Sequence, residues 1–217
     1  MLIERLVVGP LETNCYLLVD DEDPRRLTAI IDPGAEPARI ADKVRELNLD
    51  PVLMFNTHGH PDHTMGVKYI RDTLYPEYLI HKADTDLQID DEEIMAWLRD
   101  FGGELPPFPD GYLPDGVVLW LAGLPIKVIH TPGHTPGGVC FLVNDVLFTG
   151  DTLFAGGVGR TDFPGGSTET LMRSIHERIL TLDGSILVLP GHGPDSTIAI
   201  EKATNPWLVG SGGYAEP

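Results

Sequence analysis

Cysteine is scarce in this sequence: the 217 residues contain only two, Cys15 and Cys140. Both lie within apolar runs that have the composition of β-strands, where a thiol is typically reduced and buried. A framework of disulfide bonds is therefore excluded as the source of this chain's stability.

Positive charge is scarce as well, because 15 Lys and Arg face 33 Asp and Glu, which gives a net charge of −18. Such a chain repels nucleic acid and anionic membranes, so neither is expected as a partner. Long hydrophobic runs are missing too, which excludes a membrane span, and charged residues interrupt the apolar start at 1–8, unlike in a secretory signal. We expect a soluble cytoplasmic protein, and the sequence leaves its oligomeric state open.

The pattern of apolar residues predicts a single domain over 1–217, since this length can bury one sizeable core. Strands are predicted in two sets, near 2–8, 15–19, 28–31, 52–55 and 78–81, and near 117–121, 126–129, 138–143, 146–149 and 186–189. Helical spacing predicts helices after Pro37, after the strand at 52–55, from about 167, and from about 195 to Pro206. Two sheets packed face to face with helices outside would bury these faces, so the predicted fold is an α+β, four-layer αββα sandwich.

The segment 83–116 departs from the strand pattern and is predicted to be a helical insertion. Asp90 with Glu93 resembles a capping box, and the apolar residues that follow at helical spacing predict an amphipathic helix over 90–101. This helix either covers the core or forms one wall of a substrate pocket, and the sequence leaves the two roles open.

A dense cluster of polar side chains follows the strand predicted at 52–55. Three histidines and one aspartate, namely His58, His60, Asp62 and His63, fall within six residues. Neutral imidazole nitrogens and a carboxylate oxygen are ligands for Zn²⁺, Fe²⁺ or Mn²⁺. The cluster therefore indicates a divalent-metal site in a strand-to-helix loop, a usual place for function.

Three more candidate ligands, His134, Asp151 and His192, each follow an apolar strand and are flanked by glycine, proline or both. Strands that end at one edge of a sandwich can bring their terminal loops together. The seven side chains then suffice for two metals: His58, His60 and His134 for one, Asp62, His63 and His192 for the other, with Asp151 bridging. Two metals that share a hydroxide lower the pKa of water to about 7. A structural metal site usually includes cysteine, which is absent from all these motifs.

Other polar residues give weaker indications. Asp32 follows a strand and is a candidate to hydrogen-bond a ligand histidine, although an Asp before Pro-Gly also suits a turn. Arg160 is a candidate to bind an anionic group of the substrate, or else to hold its own loop by an ion pair with Asp162. Core or surface roles are expected for the remaining histidines, His81, His130 and His176.

Taken together, the motifs resemble those of the metallo-β-lactamase superfamily. The resemblance depends on HGHPDH at 58–63, TPGHTPG at 131–137, FTGD at 148–151 and GHG at 191–193. A closer similarity to the short, single-domain glyoxalase II-like (hydroxyacylglutathione hydrolase-like) branch depends on TNCYL at 13–17, GRTDFPGG at 159–166, PGHGP at 190–194 and NPWL at 205–208. The similarity implies hydrolysis of S-lactoylglutathione or a related acyl-thiol, here without the separate C-terminal helical domain of typical glyoxalase II proteins.

The mechanism expected from this resemblance uses two divalent metal ions. Zn²⁺ is the expected metal, with Fe²⁺ or Mn²⁺ as alternatives. A metal-bridging hydroxide attacks the thioester carbonyl, and Asp62 orients it. A thiolate, with a pKa of about 8.5, leaves without a proton, whereas a lactam nitrogen needs a proton donor. The alternative is a persulfide dioxygenase with one iron at residues matching His58, His134 and Asp151, because GRTDF also resembles that group.

Overall fold

The computed structural model describes residues 1–85, 96, 98–100 and 103–209. Two six-stranded sheets lie face to face, and helices cover their outer surfaces. The predicted four-layer αββα sandwich is therefore confirmed. Within the described residues, no helix combines the length and apolar character needed to cross a membrane.

The first sheet has the strand order β1 to β6 along the chain. Its strands are β1 (Leu2–Val8), β2 (Thr13–Val19), β3 (Leu27–Ile31), β4 (Asp50–Phe55), β5 (Glu77–Ile80) and β6 (Gly111–Tyr112). The first three strands pair antiparallel, and β3 to β6 pair parallel. The parallel part needs crossover connections, which contain helices α1 (Pro37–Glu46), α2 (Pro61–Thr64) and α3 (Val67–Leu74).

The second sheet has the order β14, β13, β10, β9, β8, β7. Its strands are β7 (Val118–Leu121), β8 (Leu124–His130), β9 (Val139–Val143), β10 (Val146–Gly150), β13 (Leu187–Pro190) and β14 (Ser196–Thr197). A separate hairpin consists of β11 (Leu153–Phe154) and β12 (Gly157–Val158). Helix α4 (Thr168–Ser174) continues into a π-helical turn at Ile175–Ile179, and α5 (Ile198–Thr204) and α6 (Pro206–Val209) follow β14.

Apolar side chains fill the space between the sheets and beneath the helices. In the central layer the rings of Phe55 and Phe141, one from each sheet, lie 4.6 Å apart. Outside the first sheet, Ile40 of α1 and Ile70 of α3 are fully buried. Their spacing with other apolar residues on one helical face is the reason these segments pack as helices. Cys15 and Cys140 are free and fully buried, and burial raises the pKa of Cys140 to about 11.

The structure differs from the prediction where elements are short. Strands β11 and β12 have two residues each, too few to show a period in sequence. Pro206 follows the end of α5 as predicted, but it also begins α6, because proline is well suited to the first helical position. The helix predicted over 90–101 lies mostly outside the described residues, although 98–100 are helical.

Candidate metal centre

Four strand ends bring the seven candidate ligands together at one edge of the sandwich. Strands β8, β10 and β13 run in the same direction, and His134, Asp151 and His192 follow their carboxyl ends. The other four ligands follow β4 of the first sheet, and a hydrogen bond from Val139 N to Thr57 O (2.8 Å) joins the two sheets at this edge. The convergence expected from the strand-end motifs is therefore present.

The ligand atoms form two groups, which we call position one and position two. Position one consists of His58, His60 and His134, and position two of Asp62, His63 and His192, with the ligand atoms of each group within 4.8 Å of one another. In position one, His134 Nε2 lies 3.2 Å from His58 Nε2 and 2.8 Å from His60 Nδ1. In position two, His192 Nε2 lies 3.2 Å from Asp62 Oδ2 and 3.3 Å from His63 Nε2.

The carboxylate of Asp151 lies between the two positions. Its Oδ1 is 3.4 Å from His63 Nε2, and its Oδ2 is 3.6 Å from both His134 Nε2 and His192 Nε2. Asp151 thus touches one histidine of position one and two of position two, which is the placement that a bridging ligand requires.

Hydrogen bonds at Nδ1 fix the ring orientation of four of the candidate ligand histidines. The Nδ1 atoms of four rings have outer partners: Thr57 Oγ1 for His58 (3.1 Å), Asp32 Oδ2 for His63 (3.0 Å), Arg160 O for His134 (2.6 Å) and Leu11 O for His192 (2.9 Å). These contacts leave Nε2 as the inward atom of each ring. Asp32 also accepts hydrogen bonds from Thr57 N and Thr57 Oγ1, each 2.7 Å, so it contacts the ligand loop even though its φ of 52° is that of a tight turn.

The donor set fits a divalent cation. Burial, together with the neighbouring histidines, lowers the pKa of His58 well below its usual value and that of His60 to about 4, so both rings offer lone pairs at neutral pH. Asp151 Oδ1 is buried without a hydrogen-bond partner. Because such an atom is costly to leave alone, a cation there would stabilise it. Imidazole nitrogens with carboxylate oxygens suit Zn²⁺, Fe²⁺ or Mn²⁺.

Position two behaves differently in the absence of a metal. Burial lowers the pKa of His63, but the carboxylates of Asp62, Asp151 and Asp32 outweigh this effect and hold its pKa well above the ordinary value. Burial also opposes the charge on Asp62, yet His63 and His192 keep the pKa of Asp62 well below its usual range. Without metal, these carboxylates therefore favour the protonated form of His63, and a metal that binds at Nε2 has to displace the proton there.

We predict that Zn²⁺ binding to the metal-free protein releases about one proton or more at pH 7, because His63 must be deprotonated to act as a ligand. Isothermal titration calorimetry in buffers of different ionisation enthalpy measures this number. In Asp32→Asn the released number should fall, since one of the carboxylates that raise the pKa of His63 is gone. Equal heats in all buffers would contradict the prediction.

Strand β2 supplies contacts that the sequence did not reveal. Asn14 Nδ2 donates to Pro190 O (2.9 Å) and Gly193 O (3.0 Å), and Tyr16 Oη donates to Pro190 O (2.7 Å). Thr13 Oγ1 donates to Asp62 Oδ2 (3.2 Å). This strand, which contains the TNCYL motif, therefore holds the loop of His192 and one carboxylate of position two. The signal in the sequence is two polar residues that begin an otherwise apolar strand.

The segment after β12 supports the centre mainly through its backbone. Arg160 O accepts from His134 Nδ1, and a Cβ on Gly159 would lie 1.8 Å from Asp151 O, so only glycine allows this approach. The guanidinium of Arg160 forms two hydrogen bonds of 2.7 Å with Asp162 and lies 3.9 Å from the ring of Phe163. This is the loop-holding arrangement considered above, and a contact of Arg160 with substrate stays a prediction.

Aromatic side chains flank both positions. The ring of Phe163 lies 5.4 Å from that of His60, and the ring of Phe154 lies 6.1 Å from that of His192. The remaining histidines lie elsewhere: His81 stacks on His130 with ring centroids 4.3 Å apart, and His176 is exposed on the π-helical turn.

The chain shares its features with known proteins. A family model described as the metallo-β-lactamase superfamily matches residues 8–192. The hydroxyacylglutathione hydrolase GloC of Haemophilus influenzae is 39% identical over 216 residues, which cover 96% of this chain and 98% of the relative.

Three solved structures are also similar. The BLEG-1 B3 metallo-β-lactamase has a TM-score of 0.86 at 33% identity, covering 95% of this chain and 99% of that one. TTHA1623 in a di-iron-bound form has a TM-score of 0.83 at 34% identity, covering 94% and 100%. ETHE1 from Myxococcus xanthus has a TM-score of 0.80 at 28% identity, covering 97% and 85%.

Proposed function

We propose that this chain, which belongs to the metallo-β-lactamase superfamily and is a metal-dependent hydrolase, cleaves acyl thioesters such as S-lactoylglutathione. The observation that supports this most directly is the placement of Asp151 between two complete ligand groups. A single-iron oxygenase needs only one such group. The relative named hydroxyacylglutathione hydrolase supports the choice of a thioester.

In this proposal His58, His60 and His134 would hold one metal, Asp62, His63 and His192 would hold the other, and the carboxylate of Asp151 would serve both. Two divalent ions held there would lower the pKa of water to about 7 and polarise a carbonyl oxygen. We expect Zn²⁺, with Fe²⁺ or Mn²⁺ as alternatives. The chain's contribution is to fix the ligands, through the outer contacts of the histidine rings, before the substrate arrives.

Asp62 is assigned the task of orienting the attacking water. Its carboxylate lies at the inner face of position two and accepts from Thr13 Oγ1 at 3.2 Å. Because the histidines around it hold its pKa well below the usual range, it accepts a hydrogen bond from water more readily than it retains a proton. The low pKa of Asp62 therefore favours a role in orienting the water molecule over a role in holding its proton.

The surroundings of the centre favour a leaving group that needs no proton. The aromatic rings of Phe154 and Phe163 flank the two positions, and neither ring can donate a proton. A thiol with a pKa of about 8.5 can leave as thiolate, whereas a lactam nitrogen cannot leave easily without protonation. The same rings offer an apolar surface to the acyl-thiol.

The test uses metal-free protein reloaded with Zn²⁺, Fe²⁺ or Mn²⁺, with metal content measured per chain. Substrates are S-lactoylglutathione, an acyl-coenzyme A, a chromogenic β-lactam and glutathione persulfide with an oxygen electrode. We expect thioester cleavage with two metals bound, lost in His134→Ala and kept in His176→Ala, whose residue is exposed on the π-helical turn and belongs to neither ligand group. Oxygen uptake on the persulfide with one iron, or turnover of the lactam alone, would overturn the proposal.

A further inference from the structure

A buried aspartate outside the ligand set joins the two loops of position one. Asp84 is 1% exposed. Its Oδ2 accepts from Gly59 N at 2.9 Å and from Thr135 Oγ1 at 2.7 Å, and its Oδ1 accepts from Gly137 N at 2.5 Å. Gly59 lies between His58 and His60, and Thr135 follows His134. One carboxylate therefore binds the loops of all three ligands of position one.

The aspartate is itself held firmly. It belongs to a 3-10 turn at Lys82–Asp84, and the side chain of His81 accepts a hydrogen bond from Ala83 N at the start of this turn. The ring of His81 stacks on His130, with an angle of 11° between the planes. His130 Nε2 in turn donates to Pro136 O at 2.9 Å, in the same loop that Asp84 contacts. The turn is thus anchored to the strand that leads to His134.

The contacts of Asp84 lie next to ligands of position one. Thr135 and Gly137 are in the loop of His134, and Gly59 lies between His58 and His60, in the segment that continues to Asp62 and His63. The loop of His192 in position two is held by Asn14 instead. We propose that Asp84 is a positioning residue that sets the metal affinity of position one independently of position two. The proposal rests on the two-metal site described above and not on the identity of the substrate.

Asp84→Asn is the informative change, because asparagine keeps the shape and offers one acceptor oxygen where three donors converge. The amide nitrogen replaces either the oxygen that accepts from Gly137 N or the oxygen that accepts from Gly59 N and Thr135 Oγ1. In both cases at least one backbone N–H loses its acceptor on residue 84. Loss of such an outer contact typically weakens metal binding by roughly 10–100-fold. We expect that loss for one of two metals only.

The experiment is a Co²⁺ titration of the metal-free full chain, followed by visible absorption and by competition with a chromophoric chelator. His134→Ala and His192→Ala each remove one ligand and identify the spectrum and affinity of positions one and two. Asp84→Asn should weaken the binding of the Co²⁺ ion that is lost in His134→Ala. The affinity for the second Co²⁺ ion should stay unchanged. Asn14→Asp replaces the donor to the carbonyls of Pro190 and Gly193 with a carboxylate that repels them. This variant should weaken Co²⁺ binding at position two and leave position one unchanged.

Asp110→Asn is the matched control, since Asp110 also accepts from a backbone N–H, that of Tyr78 at 2.9 Å, and does not contact these loops. It should leave both affinities unchanged. Equal weakening of both metals in Asp84→Asn, or no weakening of either, would overturn the proposal. If Asp84→Asn does not fold, Thr135→Val removes one donor and should show the same one-sided loss in smaller degree. This experiment measures metal affinity and not thioester turnover. If the protein does not cleave thioesters, the proposal for Asp84 can still be tested.

Discussion

Replacement of Asp151 by asparagine should lower the proposed thioester hydrolysis by about 10³-fold. The two oxygens of Asp151 face different histidines, with Oδ1 3.4 Å from His63 Nε2 and Oδ2 3.6 Å from His134 Nε2. An amide presents a nitrogen to one side and carries no charge, so one position loses an anionic ligand. The stabilisation that a metal gives to a reacting carbonyl is worth several kcal/mol, and about 4 kcal/mol corresponds to this change in rate.

The measurement is kcat and KM on the preferred thioester, with metal content determined for each preparation. Asp145→Asn is the matched control, because Asp145 lies at the other end of β10, is exposed, and should leave the rate unchanged. A variant of Asp151 that binds two metals and retains activity within tenfold of the parent protein would show that this carboxylate does not bridge.

Much of the fold, and the convergence of the seven candidate ligands at one edge, could be predicted because their signals are local. Strands β4, β8, β10 and β13 are apolar runs that end at glycine, proline or polar residues, and each ligand follows directly. The helical faces of α1 and α4 have the expected spacing of apolar side chains. Such patterns depend only on neighbours within a few residues, so one sequence is enough to find them.

The supporting contacts could not be predicted because they join distant parts of the chain. Asp84 and Thr135 are 51 residues apart, and Asn14 and Pro190 are 176 residues apart. A buried polar residue in a strand indicates that it needs a partner, but not which one. Asp32 shows the same ambiguity, since Asp-Pro-Gly suits a turn and the structure has both the turn and the contact with His63.

Replacement of Gly34 by alanine is expected to destabilise the protein by roughly 3 kcal/mol or more, at the upper end of the range for overpacking. An added Cβ would lie 1.6 Å from the carbonyl oxygen of Asp62 and 2.7 Å from its carbonyl carbon. These are backbone atoms of α2, which cannot rotate away as a side chain can. The whole turn would have to move, and with it Asp62 and His63 of position two.

Chemical denaturation measures this loss, and Co²⁺ binding to the folded fraction measures the displacement of position two. Gly157→Ala is the matched control: its Cβ would meet Phe154 at 3.8 Å, an ordinary contact, and unfolding should change little. An unfolding midpoint of Gly34→Ala close to that of Gly157→Ala would contradict the prediction. The segment Pro33–Gly34 also accepts a hydrogen bond at this place, from Gly66 N to Pro33 O at 2.9 Å. A large loss of stability in Gly34→Ala alone would therefore show that the close packing of this segment against α2 holds Asp62 in position.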